Sequence, residues 1–391
     1  MSSIETVGFR KGVSMRKPSR LRQKQVLVFT AGGLEHGGGI GRMIGYMCEA
    51  WPTAADWPKP EVVDTRGPAR KPTAPIFFAK AILRLIVAGL TVRPLVHIHI
   101  AGRGSSLRKA ILVGVARLIG LQVVLHQHDF DYRRFLSKLP KPVVSLLRWT
   151  FQAAEAVVVL GEADRRTATE ILGVSPDRVK IVANAVPAPR LAKRPRQASE
   201  AVRLVFLGDP SRRKGVHDLL DALAHPLLTE AEGAPDWRAT VAGGGGELEG
   251  FRGTAIELGL EDRVSFPGWV NQEGAQALLA TSDVLVLPSY GEGRAMSVLE
   301  AMSFGLAIVC TPVGALAEVI EDGLTGLLIQ PGDVNGLAHA LRRVLDDQDL
   351  RHRLGQAAQA RYVQSYDART YPERICAVFD AVHRRTRFGV G

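Results

Sequence analysis

Two glutamates in the second half of the chain could bind a ligand rich in hydroxyl groups. Glu292 and Glu300 lie in PSYGEGRAMSVLEAMSFG (288–305), where an apolar strand runs into a turn and then a helix. Carboxylates accept hydrogen bonds from the vicinal hydroxyls of a sugar or ribose, and free N–H groups at a helix start suit a phosphate. The spacing of eight residues slightly exceeds two helical turns, so the acids share a face only if the turn continues the helical direction. On spacing alone, a solvated pair of acids is the commoner arrangement.

A cationic turn precedes these glutamates, within LVFLGDPSRRKGVHDLLDAL (204–223). Arg212, Arg213 and Lys214 follow a predicted strand and precede a predicted helix. Cations at the carboxyl end of a strand can neutralise a diphosphate and stabilise it as a leaving group. The alternative is a basic turn on the protein surface.

Two glycine-rich turns could bring the backbone close to a ligand. They are GGGIGR (37–42), with Gly38 and Gly39, and AGGGGE (242–247), with Gly244. Because glycine lacks a Cβ, such turns allow a phosphate to approach the chain closely. The order G-x-G-x-x-G is absent, which argues against a dehydrogenase.

Two histidines end another predicted strand, in VVLHQHDFDYRR (123–134). His126 and His128 are two apart and therefore share one face of the strand. Together with Asp129 they could hold a metal ion, but no further ligand cluster has matching spacing, and we predict no metal. A core histidine hydrogen-bonded to the backbone is the alternative, more so for His126 than for His128.

Short apolar runs that end in glycine or polar residues alternate with helical segments in both halves of the chain. This alternation predicts an α/β fold of two doubly wound parallel sheets, with ligands at the carboxyl ends of the strands. One helical segment, 106–120, carries Leu107, Ile111, Val115 and Leu118 on a single face. The predicted organisation is a flexible basic tail (1–24), an N-terminal Rossmann-like domain (25–190), a linker (191–201), a C-terminal Rossmann-like domain (202–370) and a final helix that packs back on the N-terminal domain (371–391).

The charge of the chain favours a negatively charged partner. Its 391 residues carry a net charge of +11 and are 46% apolar, which indicates a globular protein with a phosphorylated ligand, a nucleic acid or an anionic membrane as partner. The stretch 93–148 has ten basic residues and two acids, among or beside apolar side chains such as Phe135, Leu136, Trp149 and Phe151. Such a surface suits anionic lipid headgroups; a solvated basic face is an equal alternative.

Two further features concern location. No run of eighteen apolar residues occurs, so we expect no membrane-spanning helix. The three cysteines, Cys48, Cys310 and Cys376, are far apart in sequence, which indicates neither a disulfide framework nor a zinc site and suits the cytoplasm.

The segment 288–305 resembles the EG-x-P-x-x-x-x-EAMA signature of family 4 glycosyltransferases, group 1 type, which are retaining enzymes with the GT-B fold. Gly293, Glu300, Ala301 and Met302 match the signature, whereas Arg294 and Ala295 depart from it. Similarity to other family segments extends over roughly residues 25–375.

The resemblance implies a hexosyltransferase that uses a nucleotide diphosphate sugar. It implies that Glu292 contacts the donor sugar, Glu300 the ribose, and Lys214 the phosphates. His128, followed by Asp129, matches a family histidine that contacts the sugar, with His126 as the fallback. Asp209 stands where the family has an arginine, for which Arg212 or Arg213 could compensate. The predicted catalytic residues are therefore His128, Glu292 and Lys214, and the predicted donor-binding residues are Gly38, Gly39, Arg213, Gly244, Gly293, Arg294, Ala295 and Glu300.

The same resemblance gives expectations for partners. No cofactor and no essential metal are expected, and Glu318 resembles a family acid near the donor, with helix capping as its alternative. The expected acceptor is a lipid-linked or polysaccharide precursor of the cell surface, bound in the cytoplasm or at the inner face of the membrane. A nucleotide-sugar epimerase, or another GT-B enzyme, is the alternative. A nucleic-acid binder is disfavoured, since no nucleic-acid motif appears and aromatic residues make up 6% of the chain.

Overall fold

A computed structural model describes residues 25–35, 38–52, 57–68, 72–129, 131–194, 200–230, 233, 236–293 and 295–387. The predicted basic tail, residues 1–24, lies outside the described residues, as does Arg294 of the predicted donor site.

The first half of the chain forms a six-stranded parallel sheet in the order β2-β1-β3-β4-β5-β6. The strands are almost entirely buried at β1, β3, β4 and β5, because helices cover both faces of the sheet. The bounds are β1 Val26–Thr30, β2 Glu61–Asp64, β3 Leu95–Ile100, β4 Val123–Gln127, β5 Ala156–Val159 and β6 Val179–Ile181; the helices are α1 Gly38–Glu49, α2 Ala74–Thr91, α3 Gly104–Leu118, α4 Tyr132–Ser137, α5 Lys141–Gln152 and α6 Glu162–Arg166.

The second half repeats the arrangement in the order β12-β11-β10-β7-β8-β9. Its strands are β7 Val202–Leu207, β8 Trp237–Ala242, β9 Val264–Gly268, β10 Val284–Leu287, β11 Ala307–Cys310 and β12 Leu327–Leu328. Its helices are α7 Val216–Leu223, α8 Pro226–Thr229, α9 Leu248–Glu257, α10 Gln272–Thr281, α11 Met296–Ser303, α12 Leu316–Val319, α13 Val334–Asp346 and α14 Gln348–Ser365. The prediction of two doubly wound parallel sheets is thereby confirmed.

The last helix, α15 (Tyr371–Arg387), lies against the N-terminal sheet. Phe379 is fully buried, with its ring centroid 5.4 Å from that of Trp57 and 5.5 Å from that of His97. Trp57 Nε1 also donates to Asp380 Oδ1 over 2.8 Å. These contacts cover the sheet face that also carries α1, whereas α2, α3 and α5 pack on the opposite face.

Most of the apolar face predicted for α3 points away from the core. Leu107, Ile111 and Leu118 are exposed, the last to 87%, whereas Val115 is partly buried and packs against the core. The helix instead buries Lys109, Leu112, Val113 and Ala116 against the sheet and its neighbours. Periodicity identified the face but not its direction, because α3 presents one apolar face to the sheet and another to the outside.

One further sequence expectation on this side is corrected. Lys109, Leu136 and Phe151 are buried, so they do not belong to the basic and apolar surface. Helix α2 is apolar and long enough to cross a membrane by length and composition alone, and 22% of its 18 residues are buried. In the sequence its residues 79–90 are the nearest approach to a membrane span, short and interrupted by Arg84, and the expectation of no membrane-spanning helix stays a prediction.

Candidate active site

Glu292 and Lys214 form an ion pair between two loops of the C-terminal sheet. The loop after β10 carries Glu292, which is 6% exposed, and the 3₁₀ turn Arg212–Lys214 follows β7. Lys214 Nζ lies 2.7 Å from Glu292 Oε1, and Ser289 Oγ donates to the same oxygen over 2.9 Å. One carboxylate oxygen therefore already has two donors within hydrogen-bonding distance.

Glycines let these loops meet. Gly215 has a φ of +71°, and a Cβ added there would lie 2.0 Å from the carbonyl oxygen of Pro288. Gly314, with a φ of +57°, approaches the carbonyl oxygen of Glu292 so closely that a Cβ would lie 1.7 Å from it. Only glycine combines this backbone conformation with such close packing, so both positions fix where the Glu292 loop lies.

A cavity of about 430 Å³ opens beside the ion pair. Its volume falls in the range of about 300–1,000 Å³ that is typical of small-molecule sites. Both halves of the chain contribute to its lining, which consists of Gly39, Arg42, Leu207, Gly208, Asp209, Lys214, Gly243, Gly244, Trp269, Val270, Ala275, Glu292, Ala295, Met296, Ser297 and Glu300. Six of the eleven predicted site residues are thus brought together: Gly39, Lys214, Gly244, Glu292, Ala295 and Glu300.

Glu300, on α11, is contacted by α1 of the N-terminal half. Arg42 Nη1 lies 3.6 Å from Glu300 Oε1, and Tyr46 Oη donates to the same oxygen over 3.4 Å. Burial raises the pKa of the Glu300 carboxyl above its ordinary value, although Arg42 and Tyr46 act in the opposite direction. Burial and the nearby Glu300 charge also raise the pKa of Tyr46.

Sequence reasoning missed Arg42, Tyr46 and Trp269. Arg42 ends the GGGIGR turn, and Tyr46 lies four residues later on the same helix face, so the signal for both was present in the quoted segment. Trp269 lines the cavity although it is 75% exposed. The corresponding signal in the sequence is the tryptophan of VSFPGWV (264–270).

The residues of the cationic turn contact different partners. Arg213 Nη1 donates to the carbonyl oxygen of Gly291 over 2.6 Å and lies 3.8 Å from Glu292 Oε1. The backbone N–H of Arg212 donates instead to Glu247 Oε2 over 3.3 Å. Asp209 is exposed and lines the cavity. Neither Arg212 nor Arg213 lines the cavity, so compensation for Asp209 by one of them stays a prediction.

Four of the described site residues lie outside the cavity lining: His128 and the following three. Gly38 begins α1 with a φ of +58°, one residue before the cavity-lining Gly39. Gly293 supports the loop, since its carbonyl oxygen accepts from the N–H of Ala315 over 3.0 Å. Arg213 contacts the loop through Gly291 and Glu292.

His128 is not brought to the ion pair. Its Nε2 lies 2.7 Å from Nδ1 of His99, and its ring is 4.2 Å from that of His126 between centroids. Burial lowers the pKa of His128 to about 3. Asp129 accepts from the N–H groups of Gly102 and Asp131. His128 therefore packs in a group of histidines and does not line the cavity described above; its contact with the donor sugar stays a prediction.

Glu318 also has a different partner from the expected one. Its Oε1 accepts from the backbone N–H of Glu162 over 2.8 Å, at the start of α6 in the other half. Gly161 packs directly against this carboxylate. Glu318 therefore caps a helix, which was the alternative to a contact with the donor. That helix belongs to the N-terminal half.

Two family models match adjacent parts of the chain. The Glycosyltransferase Family 4 model matches residues 37–190, and the Glycosyl transferases group 1 model matches residues 189–361. Together with the two-sheet fold and the cleft, these matches define the class of the protein. The chain belongs to the family 4, group 1 glycosyltransferases, as the signature at 288–305 predicted.

Curated relatives agree with this assignment. The chain is 29% identical over 252 residues to glycogen synthase of Mycobacterium tuberculosis, covering 64% of this chain and 59% of that protein. It is 28% identical to the 2-deoxystreptamine glucosyltransferase of Streptomyces kanamyceticus, covering 65% and 68% respectively. The match thus spans about three fifths of the length of the first of these relatives.

Solved structures share the fold at lower identity. The sucrose-phosphate synthase of Thermosynechococcus elongatus superposes with a TM-score of 0.74 at 18% identity, covering 92% of this chain and 99% of that one. HepE of Anabaena, solved in complex with UDP and glucose, gives a TM-score of 0.70 at 19% identity over 91% of this chain and 99% of its own. These likenesses establish the GT-B architecture.

Replacing Gly215 tests the loop contact against a matched control. Gly215→Ala and Gly259→Ala both place a side chain at positive φ, at a cost of about 1–2 kcal/mol. Only Gly215 meets another atom closely, since nothing lies within 4 Å of a Cβ at Gly259. We expect Gly215→Ala to weaken nucleotide binding by about tenfold or more, measured by calorimetry, and Gly259→Ala to leave it unchanged. Equal affinities for the two variants would contradict the described contact.

Glu300 provides a prediction for pH dependence. Because its folded-state pKa is raised, the folded protein binds this proton more tightly than the unfolded chain does, and stability is lost as pH rises from about 4.5 through the raised value. Glu300→Gln should therefore have a higher Tm than the wild type near pH 7, and the difference should shrink toward pH 4. Glu257→Gln, at an exposed acid, is the control. A Tm difference independent of pH would refute the assignment.

Proposed function

We propose that this protein transfers a hexose, with retention of configuration, from a nucleotide diphosphate sugar to an acceptor hydroxyl. The observation that carries the proposal is the cavity that joins the Lys214–Glu292 pair and Glu300 to Gly39 and Arg42 of the other half. A cleft between two parallel sheets, at the carboxyl ends of their strands, suits a two-substrate reaction.

The leaving diphosphate has several positive partners on this surface. Lys214 is the cation nearest Glu292 and lines the cavity. Met296 and Ser297 begin α11 there, and Gly39 lies in the first turn of α1, so both helix starts present N–H groups to an anion. Such a set would neutralise developing charge on a phosphate, and the proposed transfer accordingly needs no divalent metal at the diphosphate.

Glu292 and Glu300 would contact different parts of the donor. Glu292 would accept from hydroxyls of the sugar, since its Oε1 lies beside Lys214 at the phosphate end of the proposed pose. Glu300, eight residues further, would accept from the ribose. Trp269, exposed in the same cavity, offers an aromatic face to the base.

The proposed chemistry needs no covalent intermediate with the protein. Oε1 of Glu292 is already engaged by Ser289 and Lys214, which suits a binding role better than a nucleophilic one. The acceptor oxygen would attack the anomeric carbon from the face that the diphosphate leaves. The bond to the phosphate oxygen breaks, the new glycosidic bond forms, and a phosphate oxygen takes the acceptor proton.

The acceptor in this proposal is a lipid-linked or polysaccharide precursor at an anionic membrane surface in the cytoplasm. The support is the helical layer on the outer face of the N-terminal sheet, in which α3 packs against both α2 and α5. This outer layer exposes apolar side chains at Leu83, Val87, Leu90, Leu107, Ile111, Leu118, Leu146 and Trp149. Exposed cations lie among them, at Lys80, Arg93, Arg103, Arg117, Lys141 and Arg148.

Such a combination favours a lipid surface over a protein partner. An apolar patch rimmed by cations can bury its apolar side chains at the acyl boundary while the cations meet anionic headgroups. The weakly buried helix α2, with Leu90 exposed to 74%, supplies three of these apolar side chains, and α3 supplies another three.

Glu292→Gln and Lys214→Ala test the proposed reaction. A thermal-shift screen of nucleoside diphosphate sugars first identifies a donor, since a ligand of the folded state raises its Tm. Release of nucleoside diphosphate from that donor should then fall by about 10²–10³-fold in each variant, with Glu257→Gln as the control. Near-normal turnover in both variants would overturn the site. Release of an epimerised free sugar, independent of any acceptor, would favour the epimerase alternative.

Vesicle binding tests the membrane surface. We expect sedimentation with phosphatidylglycerol vesicles at about 0.05 M salt and release at about 0.5 M, because exposed charges are screened. The triple variant Leu83→Ser, Leu90→Ser, Leu118→Ser should lose binding at low salt, whereas Leu324→Ser and Val363→Ser, at exposed positions of the C-terminal half, should retain it. Absence of wild-type binding to anionic vesicles at low salt would disprove this part of the proposal.

A further inference from the structure

Four histidines lie together on one face of the N-terminal sheet. His97 and His99 belong to β3, and His126 to the adjacent parallel strand β4, with His128 directly after it. The register pairs His99 with His126, so all four side chains point to the same face. This is the face covered by α1 and α15, where the ring of His97 meets that of Phe379.

The sequence prediction of no metal considered only half of this group. The strand segment PLVHIHIAG has histidines at the same spacing of two, but sequence alone does not show that β3 and β4 are neighbours. Pairing of the two strands doubles the number of imidazoles at one place. Asp129, the other candidate ligand in the sequence, accepts hydrogen bonds from backbone N–H groups instead.

Buried nitrogens in this group lack partners among the described residues. His97, His99 and His126 are at most 2% exposed. Their ring contacts are with one another and with His128: His97 Nε2 with His126 Nδ1 at 3.3 Å, and His99 Nδ1 with His128 Nε2 at 2.7 Å. The other nitrogen of each of the three buried rings makes no hydrogen bond. Leaving a buried polar atom unsatisfied costs free energy, so three such atoms in one place call for a ligand.

The geometry is close to that of a three-histidine site. One ring nitrogen from each of His97, His99 and His126 lies within 4.8 Å of the other two. Ligands at about 2.0–2.1 Å from a tetrahedral zinc ion are about 3.3 Å apart, so the rings have to move closer by about 1 Å or a little more to complete the set.

We propose that His97, His99 and His126 bind one borderline divalent transition metal ion, such as Zn²⁺ or Co²⁺, inside the N-terminal domain. Imidazoles without a carboxylate favour these ions over Mg²⁺ or Ca²⁺. His128 orients His99 through the 2.7 Å contact, as outer partners of ligating histidines do. His128 is partly exposed and marks the open end of the group.

The proposed metal site is separate from the proposed donor site. None of the four histidines lines the cavity that contains Lys214 and Glu292, so the ion would not touch the diphosphate. Its position between β3, β4 and α15 gives it a structural role, the cross-linking of two strands beneath the last helix. The proposal is independent of the proposed reaction, and its test needs no activity measurement.

Metal content of the full chain, purified without a histidine tag, tests the proposal. We expect about one equivalent of Zn²⁺ per chain to remain after dialysis and gel filtration, and Co²⁺ to give visible absorption bands of a tetrahedral site that Zn²⁺ abolishes. Zn²⁺ should also raise the Tm of the metal-free chain. His97→Gln and His126→Gln should each retain under about 0.1 equivalent. His339→Gln, at an exposed histidine of α13, should behave like the wild type.

The outcomes separate a failed site from a failed fold. Circular dichroism of each variant shows whether loss of metal accompanies loss of structure. If the variants do not fold, the wild-type measurements decide: a chain that retains under about 0.1 equivalent of Zn²⁺, shows no Co²⁺ bands and has a Tm unaffected by Zn²⁺ overturns the proposal. Full metal retention by folded His97→Gln and His126→Gln overturns it equally.

Discussion

The ion pair between Lys214 and Glu292 is the interaction on which the rest of the site depends. Two charges with little exposure are tolerated in a protein only when they are paired and hydrogen-bonded, and here Ser289 completes the set. The pair joins the loops after β7 and β10, which the close approach of Gly215 to Pro288 also holds together. The groups that hold the two loops together are therefore the same groups that the proposed donor would contact. Its phosphates and hydroxyls would take the place of the contact between Lys214 and Glu292.

The cleft depends on contacts between the two halves as much as on either half alone. Arg42 and Tyr46 reach Glu300 from α1, and Glu318 caps α6 in return. The raised pKa of Glu300 shows that its charge is held at some cost to stability. Proteins commonly retain a group that lowers stability where that group serves binding, as we propose for Glu300.

The two faces of the N-terminal sheet serve different purposes in these proposals. On one face, α15 covers four histidines, and the contact of Phe379 with His97 encloses them. On the other face, three helices bury one side and leave apolar side chains such as Leu90 and Leu118 outside. Packing in the hydrophobic core explains the buried side of these helices, and a lipid surface is the partner that we propose for the exposed side.

The sequence by itself determined the α/β alternation, the family and five of the fourteen cavity-lining residues in the C-terminal half. These features are local: strand, turn and helix follow within about twenty residues, so Lys214, Glu292 and Glu300 could be recognised from their own segments. Tertiary structure alone decided that Tyr46 meets Glu300, 254 residues away, that His128 packs against His99, and that Leu107, Ile111 and Leu118 of α3 point outward. Each of these depends on which strands become neighbours and which helix covers which face, and periodicity along the chain contains no information about that choice.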